Sequence, residues 1–496
     1  MLHVQNKNVI AINKWIKEYG KVIGIIEVGP TVVIADADLA RQIQIKDFPL
    51  FPHRRILLDE GGFDANPKYE VSIIAHEISP QRWKEQRALI TSAFTSSKIR
   101  ASVPLVREGL DVLMENIQSE AGKGDFDIYD LFQRLTMDTI GRSAFGTNLN
   151  VQRDPGNKFF QATRRVFDNA SKSWTLMLTF VTMVFPEFFH ILYPIRKLQR
   201  VFLQTIGRPS HFTYQLQMCV DIIEKRKREN ERGGEAPDDF LQRLIDASLT
   251  TEQMRSLTEA SLAASDDTDQ VMEQVSHRRS GRVHRMNDQE VAANASIMFD
   301  AGYETTSTFL AFLFHVLVNR QDIQQEVRQE VLLLKERDGD LGYNTCHSLP
   351  YLDALMYETL RYFPPVTAFV SRQSTTDYKY KDMTIPANVA IEIAVSALHH
   401  DPELWAEPET FDPMRFYRDN KWRAQSVGFQ AFGAGPRNCL GMRFAVMEAK
   451  LTVARILSEY HILPGPRTEP FYDLDMEYKP ITQNPKNGIF VTAVKL

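Results

Sequence analysis

Residues 432–445 read FGAGPRNCLGMRFA and carry Cys439, one of three cysteines in 496 residues. Gly433, Gly435 and Gly441 permit a backbone path and close approaches that a side chain would block. Pro436 stiffens the turn. The apolar run that follows predicts a helix beginning near Leu440, so the sulfur sits just before a helix N-terminus. Helix-end N–H groups favour a thiolate over a thiol, and Arg437 adds positive charge nearby. A thiolate held in this way is a soft, strongly donating metal ligand. Taken alone, though, a cysteine in a Gly-rich turn is more often structural, so its role depends on what else the chain carries.

Composition sets limits. With 43% hydrophobic and 24% charged residues the chain has the make-up of an ordinary globular protein. A net charge of -5 gives no field for nucleic acid. Cys219, Cys346 and Cys439 form no C-x-x-C pair, which excludes a zinc ribbon or a disulfide scaffold and fits a reducing compartment. The first 22 residues, MLHVQNKNVIAINKWIKEYGKV, are neither a signal peptide nor a spanning segment, because Asn, Lys and Glu break every apolar run. A greasier stretch, WTLMLTFVTMVFPEFFHILYPI (174–195), is interrupted by Pro186, Glu187, His190 and Pro194. It reads as core helices, or as a surface that rests on a membrane or admits apolar ligands.

Along the chain, residues 22–36 predict two short strands around a Gly29-Pro30 turn. SPQRWKEQRALITSAF predicts a helix with Ser79 as N-cap and Pro80 at its first position. Helical patterns then dominate to about 370, except for the polar stretch 250–285, which reads as a loop or partly disordered insertion. Asn287, with Glu290 three residues on, caps a long apolar helix that must be buried on most sides. YLDALMYETLRYF is a helix stopped by Pro364-Pro365. Short strands follow at 368–394, a helix from about 442, and closing strands at HILPG and GIFVTAVKL. The expected fold class is mainly α, one domain over 1–496, with small sheets at both ends of the chain.

Three further stretches carry chemistry. AGYETTS (301–307) places Gly302 inside the long helix, at a cost of about 1 kcal/mol relative to Ala, and sets Glu304 and Thr305 in an otherwise apolar run. The bland reading there is helix packing with a back-bonding Thr. ETLR puts Glu358 and Arg361 three apart on one helix face, a spacing that usually gives a solvated ion pair. WKEQR puts Trp83 and Arg87 on the early helix, where the plain alternative is an amphipathic helix with a buried Trp.

Together these stretches resemble the cytochrome P450 family. Phe432, Gly435, Arg437, Cys439 and Gly441 match F-x-x-G-x-R-x-C-x-G, and the other segments match [AG]-G-x-[DE]-T-[TS], E-x-x-R and W-x-x-x-R in the family's order. LTMDTIGRSAFG, AGYETTST and FGAGPRNCLGMRFA are similar to an animal microsomal group of drug- and steroid-oxidising enzymes that also includes thromboxane synthase. The resemblance implies a triangular helical prism around a long central helix. It implies haem b, with Cys439 as axial iron ligand and Trp83, Arg87, Arg372, Arg437 and Arg54 (or Arg55) at the propionates. Ala301 and Gly302, with a local helix distortion, would make room for oxygen, and Glu304 and Thr305 would relay protons. Glu358, Arg361 and Arg415 of FDPMRF would form a structural triad that locks the cysteine loop. The residues before Phe188, those near Ala301 and Pro365 to Phe369 would line an apolar pocket.

GAGPRN fails the G-x-G-x-x-G dinucleotide pattern at its last position, so NADPH is not expected to bind here. The resemblance implies a separate NADPH–cytochrome P450 reductase and cytochrome b5; Arg82, Lys84 and Arg443 are candidates for the face that meets them, against the plain reading of each as solvated surface charge. It implies a monooxygenase acting on O2 and a lipid, steroid or xenobiotic at the cytosolic face of the endoplasmic reticulum membrane. Microsomal relatives begin with a spanning helix and a Pro-rich hinge, and this chain starts near where those would end. The alternatives are a haem-thiolate isomerase acting on a peroxide and a non-catalytic haem- or ligand-binding protein.

Overall fold

The computed structural model describes residues 8–26, 30–54, 72–74, 79–169, 198, 211–233, 237, 239–257, 262–263, 281–339, 342–346, 348–367, 370–479 and 481–496. The apolar stretch 174–195, including the residues before Phe188, lies outside them, as do Arg55, Ala368 and Phe369. Among the described residues, no helix is long and apolar enough to cross a membrane.

The central helix is Asp288–Asn319. Its start is fixed reciprocally: the Asn287 side chain accepts from the Glu290 N–H at 2.9 Å, and the Glu290 carboxylate accepts from the Asn287 N–H at 2.8 Å. The helix serves two apolar clusters. Its first half, Val291 to Tyr303, packs with Phe145, Phe159 and Phe240. Its second half, Phe309 to Val318, packs with Phe132, Leu135 and Leu355. Phe299 stacks on Phe145 at 3.9 Å, and Phe314 meets Phe132 at 4.8 Å, both across to the helix Ile128–Phe145. Truncating such a buried Phe costs about 3–5 kcal/mol. Between the two apolar halves lies the polar run Glu304–Thr308, for which hydrophobic burial alone supplies no reason.

The other elements deliver side chains to that interval. Ser79 caps Pro80–Thr91 as expected, accepting from the Arg82 N–H at 3.2 Å. Val22–Ile26 and Pro30–Ile34 form the expected hairpin. Pro30–Ile34 then runs parallel to Ala390–Ile393, which pairs antiparallel with Ser371–Gln373 and sets Arg372 opposite Ile391. Pro350–Tyr362 carries Glu358 and Arg361. A C-terminal hairpin, Met476–Tyr478 with Gln483–Pro485, lies against the central helix.

The helix after the cysteine begins at Met442, as expected from about 442, with Gly441 as N-cap. Two expectations need correction. The stretch 250–285 is ordered at its ends: Leu249–Thr250 pairs with Val283–His284, and Thr250 and Gln253 form a capping box for the helix Thr251–Ser256. Polar composition suits a capped surface helix as well as a loop. Finally, the central helix runs as α-helix through Ala301–Thr305, without the expected distortion.

Candidate active site

The cysteine loop is built by its backbone. Gly433 and Gly435 both have φ of +69°, a region that L side chains rarely adopt. A Cβ on Gly435 would stand 2.1 Å from the Gln44 carbonyl oxygen. Gln44 belongs to a π-helical turn, Gln42–Lys46, and its side-chain amide exchanges hydrogen bonds with that of Gln430 at 3.2 and 3.0 Å. Within the loop, the Cys439 N–H donates to the Phe432 carbonyl at 2.8 Å.

Behind the loop stands the expected triad. Arg361 donates twice to Glu358, each at 2.8 Å, with both side chains fully buried; Arg415 approaches the same carboxylate at 3.4 Å. The link from triad to loop is His399, which stands in none of the sequence motifs. Its Nδ1–H donates to the Arg361 carbonyl at 3.0 Å, and its Nε2 accepts from the Gln430 N–H at 2.7 Å. The two partners fix the tautomer. Arg361 returns a bond to the His399 carbonyl at 2.8 Å, and the imidazole stacks on Phe429 at 5.3 Å. Burial, with the charges of His400 and Arg361, pushes the His399 pKa down to about 3, so the ring stays neutral.

One cavity of about 330 Å³ gathers Cys439, Trp83, Arg87, Arg372, Arg437, Phe432, Gly441, Ala301, Gly302 and Thr305, together with Arg54. Pro365 and Val366 line it as expected, among walls such as Ile73, Ile297, Phe309 and Val370. Gly435 shapes the loop from behind. Arg54, one of the two alternatives, lines the cavity; Arg55 lies outside the described residues.

Arg87 grips the loop, donating to the Leu262 carbonyl at 2.9 Å and to the carbonyl and side-chain oxygen of Asn438 at 2.9 and 2.8 Å. Arg437 lies over the Trp83 ring at 4.3 Å and donates to Pro52 and Ile73 carbonyls. Arg372 donates to the Ser371 carbonyl at 2.7 Å. Among the described residues, Arg87, Arg372 and Arg437 have no carboxylate partner, and the Nε atoms of Arg372 and Arg437 have no hydrogen-bond partner. Burial depresses the pKa of all four guanidinium groups, to about 10 for Arg54 and about 9 for Arg87, and Arg54, Arg372 and Arg87 add repulsion at Arg437. Guanidinium groups buried and crowded in this way call for a bound polyanion.

The protein around Cys439 pushes its pKa up by desolvation, while the Gly441 and Met442 amides and the Arg87 charge pull it the other way. A Cβ at Gly441 would meet nothing within 4 Å, so this part of the cavity wall is open. A soft sulfur donor, guanidinium groups without carboxylates and an open wall at Gly441 fit an iron porphyrin with two carboxylate arms.

The central helix separates two residues that are adjacent in sequence. Thr305 faces the cavity, its hydroxyl donating back to the Ala301 carbonyl at 2.5 Å. Glu304 is 1% exposed and turned away, accepting from Lys479 at 3.0 Å and Asn484 at 2.8 Å. Successive helical residues point about 100° apart, so the assumed pair is not brought together. Gly302 has a packing reason as well, since a Cβ there would stand 2.6 Å from Cδ1 of Ile140. The cysteine helix adds Glu448, a further cavity residue outside the sequence motifs; burial pushes its pKa up to about 8.

Two residues expected at a docking face are tied into the fold. Arg82 donates to Glu290 at 2.7 Å, to Glu85 at 2.5 Å and to the Arg285 carbonyl at 2.9 Å. Arg443 donates to Ser96 at 2.7 Å and to the Phe94 carbonyl.

The fold and the cavity define a haem-thiolate protein. The chain belongs to the cytochrome P450 family, whose model matches residues 1–490, and that family binds haem b. Among curated proteins it is similar to thromboxane-A synthase of Rattus norvegicus, 31% identical over 473 residues, which covers 93% of this chain and 83% of that one. It is also similar to cytochrome P450 3A6 of Oryctolagus cuniculus, 31% identical with coverage of 90% and 79%. Cytochrome P450 9c1 of Drosophila melanogaster is 28% identical, with coverage of 93% and 84%.

Proposed function

We propose that the protein is a monooxygenase that inserts one oxygen atom from O2 into an apolar lipid, steroid or xenobiotic. The observation that carries this reading is the cavity in which the Cys439 sulfur, four buried guanidinium groups and the Thr305 hydroxyl meet apolar walls. Cys439 would hold the haem iron, and Arg54, Arg87, Arg372 and Arg437, with Trp83, would hold the propionates. Haem b bound through a thiolate supplies the activation of dioxygen. Thr305 supplies a hydroxyl able to hold a water or pass a proton, once its bond to the Ala301 carbonyl is given up. Ile297, Phe309, Val366 and Val370 exclude water and orient the substrate.

Electrons come from NADPH–cytochrome P450 reductase, with cytochrome b5 as a second donor, at the cytosolic face of the endoplasmic reticulum membrane. Of the three cations considered for that face, Arg82 and Arg443 are tied into the fold, which leaves Lys84 among them to meet these donors.

The test is the spectrum of the ferrous protein with carbon monoxide, which should show the red-shifted Soret band of a thiolate haem. Cys439→Ser should abolish that band and all turnover; survival of the band would remove Cys439 as the ligand. One observation favours a second reading, an isomerase that rearranges a peroxide: Glu304 is turned away from the cavity. Turnover of a hydroperoxide, with none from reductase, NADPH and O2, would establish it. Absence of both activities across a broad apolar panel would leave a haem-binding protein without catalysis.

A further inference from the structure

The Glu304–Lys479 ion pair is buried, its side chains 1% and 6% exposed, and neither residue lines the cavity. Asn484 joins it from the same hairpin, its amide nitrogen 2.8 Å from Glu304, 2.7 Å from the Thr308 hydroxyl and 2.8 Å from the Tyr129 hydroxyl. The Lys479 N–H donates to the Thr482 carbonyl at 2.8 Å and closes the hairpin turn. The hairpin is thus fastened to the central helix at Glu304 and Thr308, and to the helix Ile128–Phe145 at Tyr129.

Its other side holds the chain that forms the cavity wall. The Gln483 N–H donates to the Pro365 carbonyl at 3.0 Å, and the Gln483 side chain to the Pro364 carbonyl at 2.8 Å. The Thr367 N–H donates to the Ile481 carbonyl at 3.2 Å, and Val366 bridges to Thr482. Pro365 and Val366, the residues gripped between these bonds, both line the cavity.

We infer that Glu304 and Lys479 form a latch that holds the C-terminal hairpin against Pro364–Thr367 and so sets the shape of the substrate cavity. Glu304 is then a positioning residue and not the carboxylate that exchanges protons with Thr305. This inference rests on the proposed monooxygenase function. The carboxylate is buried against an ammonium group and does not line the cavity, and separating the pair would strand two charges. Its bonds run instead through the hairpin to two residues of the wall.

The experiment compares Glu304→Gln, Lys479→Met and Lys479→Arg in the haem-loaded protein. Spectral dissociation constants are measured for testosterone and lauric acid, and peroxide released per NADPH oxidised is measured with reductase. For at least one ligand, Glu304→Gln and Lys479→Met should weaken binding together by about tenfold, with peroxide release unchanged, and Lys479→Arg should restore binding. Unchanged binding in Glu304→Gln, with peroxide release raised severalfold, would overturn the latch and return Glu304 to proton transfer. Should a single variant lose its haem, Glu304→Gln/Lys479→Met leaves no unpaired charge and carries the same comparison. Altered binding there supports the latch, and unaltered binding sinks it. Absence of the carbon monoxide band in the unsubstituted protein would count against the proposed function, not the latch.

Discussion

The cysteine loop and the polar run of the central helix line the same cavity, yet they are held by different means. The loop is fixed through its backbone: two left-handed glycines, a carbonyl of Gln44 in contact with Gly435, and a neutral His399 bonded to the Gln430 amide. The polar run has ordinary helical backbone, and its side chains are sorted by what packs around it. Thr305 is left to the cavity, while Glu304 is claimed by Lys479 from 175 residues away. Where the backbone is the constraint, a local motif predicts the site; where side chains choose between neighbours, it predicts only the cast.

The sharpest way to break this contrast is Gly435→Ala. A left-handed L-residue costs roughly 1–2 kcal/mol before any clash, and the new methyl would collide with a backbone carbonyl that cannot swing aside. The expected outcome is loss of stable haem incorporation, read from the carbon monoxide spectrum. A normal spectrum would show that the loop tolerates a different path.

Glu448, on the cysteine helix, tests the same side of the cavity through pH. Its folded-state pKa of about 8 lies above the unfolded value, so the unfolded chain gives up this proton first. The group therefore costs stability increasingly from about pH 4.5 to about pH 8, reaching about 3 kcal/mol at pH 7. Glu448→Gln should raise the melting temperature of the haem-loaded protein at pH 7–8 and leave it unchanged near pH 4.5. A uniform shift at both would place the effect in packing.

Across the cavity, Thr305→Ala should keep the haem and the fold, since it removes one back-bond within a helix. It should instead raise peroxide release per NADPH severalfold; unchanged coupling would remove Thr305 from proton handling. The smallest effect is expected at Gly302. Ala gains about 1 kcal/mol of helix propensity, and the obstacle is the mobile tip of Ile140, so Gly302→Ala should lie near zero by denaturant titration. A loss like that of Gly435→Ala would mean that the helix is as rigidly specified as the loop.

Much of the frame was legible. The caps at Ser79 and Asn287, the stop at Pro364-Pro365, and the strands at both ends follow from local rules that operate over a few residues. So does the cast of the site, because Cys439, Arg437, Trp83, Arg87, Glu358 and Arg361 stand in fixed short spacings. Arg372 reaches the cavity from the strand Ser371–Gln373, where its register opposite Ile391 decides where it points. His399, Gln430, Lys479, Asn484 and Glu448 escaped notice because none stands in a short pattern with its partner. Arg82 and Arg443 were open to reading as surface charge because Glu290 and Ser96, which tie them into the fold, are hundreds of residues distant.

The sequence by itself determined the cofactor class, the candidate for the metal ligand and the helical frame, because helix caps, left-handed glycines and spacings within one turn are local consequences of backbone geometry. Only the tertiary structure decided that Glu304 belongs to the C-terminal hairpin and Thr305 to the cavity. The helix turns about 100° between them, and a buried carboxylate goes to whichever side offers a cation.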